Sequence, residues 1–147
     1  DLLDRSITTL QKQLDDQRII IRYDLQAELP ALCLDAELMR NCIMNFIANA
    51  AQAMPEGGTL TLGARLDDRE MPGVLLSFSD TGAGIAAENL EHVFQPYFTT
   101  KEVGIGLGLA ITERIIKEHR GSVTVTSTLG VGTTFSVWLP RMEGMTV

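Results

Sequence analysis

Apolar positions at spacings of three and four, Leu2, Leu3, Ile7, Leu10 and Leu14, predict an amphipathic helix over 2–16. The run Ile19-Ile20-Ile21-Arg22-Tyr23 suits a strand between Arg18 and Leu25, closed by the loop Glu28-Leu29-Pro30-Ala31. Asp35 is placed to cap a long helix from Ala36 to about Met54, which Pro55-Glu56-Gly57-Gly58 ends. Apolar and polar residues then alternate over 59–66, Pro72-Gly73 turns the chain, and 74–79 makes the second arm of a hairpin. A short helix is predicted over 88–93, a loop over 94–106, and a helix over 107–119 built on Leu109, Ile111, Ile115 and Ile116. Two further strands, 123–128 and 134–139, are joined by Gly130-Val131-Gly132, and 141–147 reads as a loose tail. No internal repeat interrupts this order of elements.

Length adds that 147 residues make one domain with a single substantial core. A hydrophobic fraction of 45% with only 5% aromatics predicts a core of aliphatic residues and Met, as in a compact α/β protein. Nineteen acidic against twelve basic residues disfavour nucleic acid as a partner, because such a surface needs clustered Lys and Arg. No run reaches the ~20 apolar residues that span a bilayer, so this segment is expected to be soluble and outside the membrane. Cys33 and Cys42 form neither a CxxC pair nor a Cys/His cluster, which gives a zinc site no support and fits two buried thiols in a reducing cytoplasm.

The predicted long helix is mostly apolar, yet Asn41, Asn45 and Asn49 recur on it every four residues. Positions i and i+4 stand roughly 5–6 Å apart at Cβ on one helix face, so Asn45 and Asn49 either bond to neighbouring elements or converge on a ligand such as Mg²⁺. Asp80 ends an apolar strand and is followed by Thr81-Gly82-Ala83-Gly84. Its carboxylate either stabilises that turn or accepts a hydrogen bond from an exocyclic amine, which adenine has and guanine lacks at the same position. Gly104-Ile105-Gly106-Leu107-Gly108-Leu109 opens into a helix, whose free amides suit phosphate, although a flexible hinge would look the same. The aromatics of Phe94-Gln95-Pro96-Tyr97-Phe98 read as core, and Thr99-Thr100-Lys101 supplies donors and charge for a polyphosphate on a mobile loop just ahead of the glycine turn.

In this order the segments resemble the catalytic and ATP-binding domain of sensor histidine kinases, within the Bergerat-fold family. Asn45 to Ala50 is similar to the N box, Asp80 to Ile85 to the first glycine box, Phe94 to Lys101 to the F box, and Gly104 to Leu109 to the second glycine box. Gly130 to Phe135 and Leu139-Pro140 resemble the last box and the terminal strand. The resemblance implies a two-layer α/β sandwich, with a mixed sheet of about five strands against three main helices. It implies that Asn49 and Asn45 hold Mg²⁺, with Asn45 and Lys101 close to the reacting phosphates. ATP would also meet Gln52, Asp80, Gly82, Gly84, Ile85, Thr99, Thr100, Gly104, Gly106, Leu107, Gly108, Leu109 and Thr133, with 94–108 as a lid.

By the same resemblance, 17–140 is the catalytic domain and 1–16 a helix linking it to a dimerisation and phosphoacceptor hairpin. The γ-phosphoryl group would pass to a histidine there and then to an aspartate of a response regulator receiver domain. The parent protein is expected to be a homodimer, cytoplasmic or anchored at the inner face of the cell membrane. His92 and His119 match no phosphoacceptor sequence and are expected on exposed helix surface. Three positions depart from the family: Ile105 replaces a frequent hydroxyl, the loop after Lys101 is short, and Arg120 stands where a glycine commonly precedes Gly121. ATP hydrolases share the fold and usually carry Glu near the position of Asn45, where a carboxylate can activate water. A degenerate domain that acts through its surface is the third reading.

Overall fold

The computed structural model describes residues 2–27, 29, 32, 34–68, 71–95 and 108–141. Among these residues four helices, α1 (Leu2–Asp16), α2 (Ala36–Ala53), α3 (Ala87–Leu90) and α4 (Gly108–Glu118), accompany strands β1 (Ile19–Leu25), β2 (Gly58–Leu66), β3 (Gly73–Asp80), β4 (Ser122–Thr128) and β5 (Gly132–Pro140). The strands form one sheet in the order β1-β2-β3-β5-β4. β1 pairs parallel to β2 through the α2 crossover, and the other pairings are antiparallel. The expected mixed five-stranded sheet and its three main helices are therefore present, with α3 as a single additional turn.

Alternation along the strands decides which face the helices cover. Leu60 and Leu62 of β2, Phe78 of β3 and Phe135, Val137 and Leu139 of β5 share one buried cluster with Leu3, Ile7 and Leu14 of α1, Phe46 and Ile47 of α2 and Ile115 and Ile116 of α4. The intervening residues are largely hydroxylic, and Thr61, Ser79, Thr134 and Thr126 fall in one row across four strands. Ser79 and Thr134 bond to each other through their hydroxyls at 2.7 Å. Helix α2 lies at the centre of the helical layer, between α1 and α4. Phe46, 1% exposed, stacks on Phe78 at 4.9 Å between ring centroids and tilts against Phe135 at 5.3 Å.

Local chemistry sets the helix ends. Asp35 is the N-cap of α2, its Oδ1 accepting from the Leu38 amide at 3.0 Å. The predicted 88–93 helix is shorter than expected. After α3 the chain closes three-residue turns, His92 N–H to Asn89 C=O at 3.0 Å and Gln95 N–H to His92 C=O at 3.0 Å, instead of continuing the four-residue ladder.

The C-terminus of α4 resolves the departure at position 120. Gly121 N–H donates to Ile116 C=O and Arg120 N–H to Lys117 C=O, both at 2.9 Å, a Schellman closure that needs a left-handed residue at 120. Arg120 adopts it with φ 63°. The turn is thus the one a glycine would make, formed by a residue that resists it. Arg120→Gly is expected to stabilise the chain by about 0.5–1 kcal/mol, relief of left-handed strain offset by the freedom of unfolded glycine. A urea titration should show a higher midpoint at unchanged slope.

Candidate functional site

Helix α2 joins the two halves of the site. Asn45 lies in its middle beside the start of α4, and Ala53 at its end meets the turn after Asp80, roughly 12 Å further along the axis at 1.5 Å per residue. Asn45 and Asn49 are both half-buried, on the same side of α2 by spacing, whereas Gln52 is exposed. Asn45 Nδ2 donates to Thr112 Oγ1 at 3.1 Å. A Cβ placed on Gly108 would stand 3.9 Å from Asn45 Oδ1, so the amide oxygen is turned to the beginning of α4. Gly108 is exposed, and Leu109 packs partly against the core.

At the other end, Asp80 is 9% exposed. Its Oδ1 accepts from the Gly82 amide at 2.9 Å and the Thr133 amide at 3.3 Å. Burial raises its carboxyl above the usual range, and the two amides partly oppose the shift. Among the described residues Oδ2 has no protein hydrogen bond, so this end combines an oriented carboxylate with an unused acceptor.

The backbone around it is closely packed. Ala83 N–H donates to Ala53 C=O at 3.1 Å, and a Cβ on Gly82 would lie 2.7 Å from the Ala53 Cβ, so that position admits only glycine. Gly84 has φ 78°. Ile85 N–H donates to Ser127 Oγ at 2.8 Å, and Ser127 Oγ lies 2.8 Å from Thr133 Oγ1. Gly130 N–H reaches Ala83 C=O at 2.7 Å. The β4–β5 hairpin is thereby fastened to the turn that follows Asp80.

The structure thus brings Asn45 to Gly108, and Asp80 to Gly82, Gly84, Ile85 and Thr133. Thr99, Thr100, Lys101, Gly104, Gly106 and Leu107 lie outside the described residues, as does Cys33. Cys42 is buried as expected, its thiol pushed up to about 11 by burial. Among the described residues no three His, Cys, Asp or Glu side chains gather to hold a metal. A cation here would take most of its oxygens from elsewhere, and neutral amide oxygens suit that supporting role for Mg²⁺.

Three residues escaped the sequence reading. Thr112 is fully buried and holds Asn45. Ser127 ties the hairpin to Ile85. His119, expected on exposed surface, is half-buried: its Nδ1 pairs with Ile115 C=O at 2.8 Å while Nε2 accepts from the Asp35 amide at 3.0 Å, fixing the end of α4 against the start of α2. Only Thr112 left a signal, a hydroxyl on the stripe shared with Leu109, Ile115 and Ile116.

Comparison with known proteins agrees with this geometry. The family described as histidine kinase-, DNA gyrase B-, and HSP90-like ATPase matches residues 34–143. The chain is 35% identical over 139 residues to the sensor histidine kinase ZraS of Escherichia coli, an alignment covering 95% of this chain and 29% of that protein. The chain therefore spans less than a third of the length of these curated relatives. Among solved structures it is similar to the nucleotide-free catalytic domain of the histidine kinase ThkA, with TM-score 0.84, 26% identity, and 95% of this chain and 90% of that one covered. It is also similar to full-length ShkA in complex with AMPPNP, with TM-score 0.84, 29% identity, and 95% and 29% covered.

Proposed function

Since the chain belongs to the family of histidine kinase-, DNA gyrase B- and HSP90-like ATPases, we propose that it is the ATP-binding catalytic domain of a sensor histidine kinase. It would transfer the γ-phosphoryl group of ATP to a histidine on a separate helical domain, for relay to an aspartate of a response regulator. The observation that carries this reading is the pair of functions α2 supports at once. Its midpoint presents an amide where the fold's hydrolases usually have a carboxylate, and its end braces an oriented Asp80.

Asp80 suits an adenine amino group, because Oδ1 is committed to two amides and Oδ2 remains an acceptor. Thr133 and Gly82 hold that carboxylate in place, and Gly84 and Ile85 form the adjoining wall. Asn49 and Asn45 would hold Mg²⁺ through amide oxygens, with Lys101 and the amides around Gly106, Leu107 and Gly108 beside the phosphates. Bound Mg²⁺ supplies neutralisation of charge on the transferring phosphoryl group. Such transfer depends on positioning and electrostatics, so this domain can present its substrate without owning the nucleophile. An amide at 45 cannot take a proton from water, which sets hydrolysis aside.

The test adds the chain to a cognate helical hairpin with labelled ATP. An acid-labile, base-stable label on the hairpin is the expected result, and none on a correctly dimerised full-length protein would overturn the assignment. Asn45→Glu is expected to weaken ATP binding less than Asn49→Ala, and equal losses by calorimetry would contradict the roles given to the two amides. AMPPNP in the similar ShkA structure supports trying that analogue first.

A further inference from the structure

The Asn45 amide can enter the site in two ways, and only one helps a cation. With Oδ1 forward it offers a lone pair, whereas with Nδ2 forward it offers two N–H donors. On one helix nothing local decides between them. The choice is made from α4, where the Thr112 hydroxyl takes a hydrogen bond from Nδ2 at 3.1 Å across 67 residues of sequence.

A hydroxyl both donates and accepts, so Thr112 could in principle hold either end of the amide. In the structure it is Nδ2 that meets the hydroxyl. Cys42, one turn before Asn45 on α2, holds the same point of α4, its thiol donating to the Thr112 carbonyl at 3.9 Å. Oδ1 is then the end turned to Gly108 and the start of α4. Thr112 and Cys42 are fully buried or nearly so, at 0% and 1% exposure, so water does not compete for these bonds.

We propose that Thr112 is a positioning residue for the metal-assisted step, fixing the Asn45 amide with its oxygen toward the cation and making that orientation depend on where α4 sits. The inference rests on the reading of the site as one for ATP with Mg²⁺. It assigns α4 a duty beyond closing the core: a shift of α4 that breaks the Thr112 bond frees the amide to rotate.

The experiment uses this chain and isothermal calorimetry with ATP, once with Mg²⁺ and once with EDTA. The readout is the ratio of the two dissociation constants, with melting temperature measured alongside. Thr112→Val keeps the side-chain volume and removes the acceptor, and is expected to reduce the Mg²⁺-dependent gain by about tenfold, one charge-assisted contact's worth, while affinity in EDTA changes less than threefold. Thr112→Ser keeps the acceptor and should preserve the gain. If the valine variant does not fold, Thr112→Ala is measured with the same expectation. An unchanged gain in Thr112→Val or Thr112→Ala, or an equal loss in Thr112→Ser, would overturn the proposal. Absence of ATP binding by the unaltered chain would instead overturn the reading on which it rests.

Discussion

Phe46→Ala is expected to cost about 3–5 kcal/mol of folding free energy, the range for emptying a fully packed aromatic site. Phe46 is 1% exposed and touches rings from two strands, Phe78 of β3 and Phe135 of β5, so no single neighbour can collapse into the space. A domain of this size holds roughly 5–15 kcal/mol in total, so the variant should retain a folded population near its margin. Urea unfolding followed by circular dichroism should show a midpoint far below that of the unaltered chain. Phe46 stands between Asn45 and Asn49 on α2, so the loss falls on the element that joins both halves of the site. Excess ATP with Mg²⁺ should recover part of it, because a ligand that binds the folded chain alone stabilises it by mass action. An unfolding free energy within about 1 kcal/mol of the original, the order of effect expected for a surface residue, would show that the ring cluster is not the centre of the core.

Asp80→Asn is expected to weaken ATP binding and strengthen the nucleotide-free fold together. The asparagine oxygen can still accept from Gly82 and Thr133, so the turn survives. The acceptor offered to the adenine amine becomes a donor, and about 1–3 kcal/mol of binding is lost, roughly 5- to 150-fold in dissociation constant. The same donor can meet the 6-oxo group of guanine, so the preference for ATP over GTP should narrow in parallel. Equal losses for both nucleotides would place Asp80 away from the base.

The stability arm follows from the raised carboxyl of Asp80. The folded chain holds this proton more tightly than the unfolded chain, so stability is lost as pH rises from the ordinary Asp range through the raised value, and regained on acidification. At neutral pH the unaltered chain carries the buried charge at a cost that the asparagine variant avoids. The variant should melt higher at pH 7, and the gap should shrink as pH falls through that interval. A gap that widens on acidification would contradict burial as the dominant cause.

Much of the architecture was legible because its signals are local. Asp35 ahead of an apolar period and Pro55-Glu56-Gly57-Gly58 behind it bracket α2 to within a residue. Asp80 ends β3 as its position before two glycines suggested. The strand ends were less legible: Gly132 read as turn by composition and Thr133 fell outside the predicted strand, but pairing with Thr128, Ser127 and Asp80 draws both into the ladder. The roles of Thr112 and His119 were illegible for a different reason. Their meaning lies in partners 67 and 84 residues away, Asn45 and Asp35, and no window along the chain contains both members of either pair.

The Ser127 and Gly130 fastenings also bear on how recognition there would register thermodynamically. With Ile85, Ala83 and the Asp80 carboxylate already immobilised by folding, a planar guest at that end would find its berth built beforehand. Its arrival should freeze few additional torsions, leaving a small entropic penalty and sharp discrimination among rings of similar size.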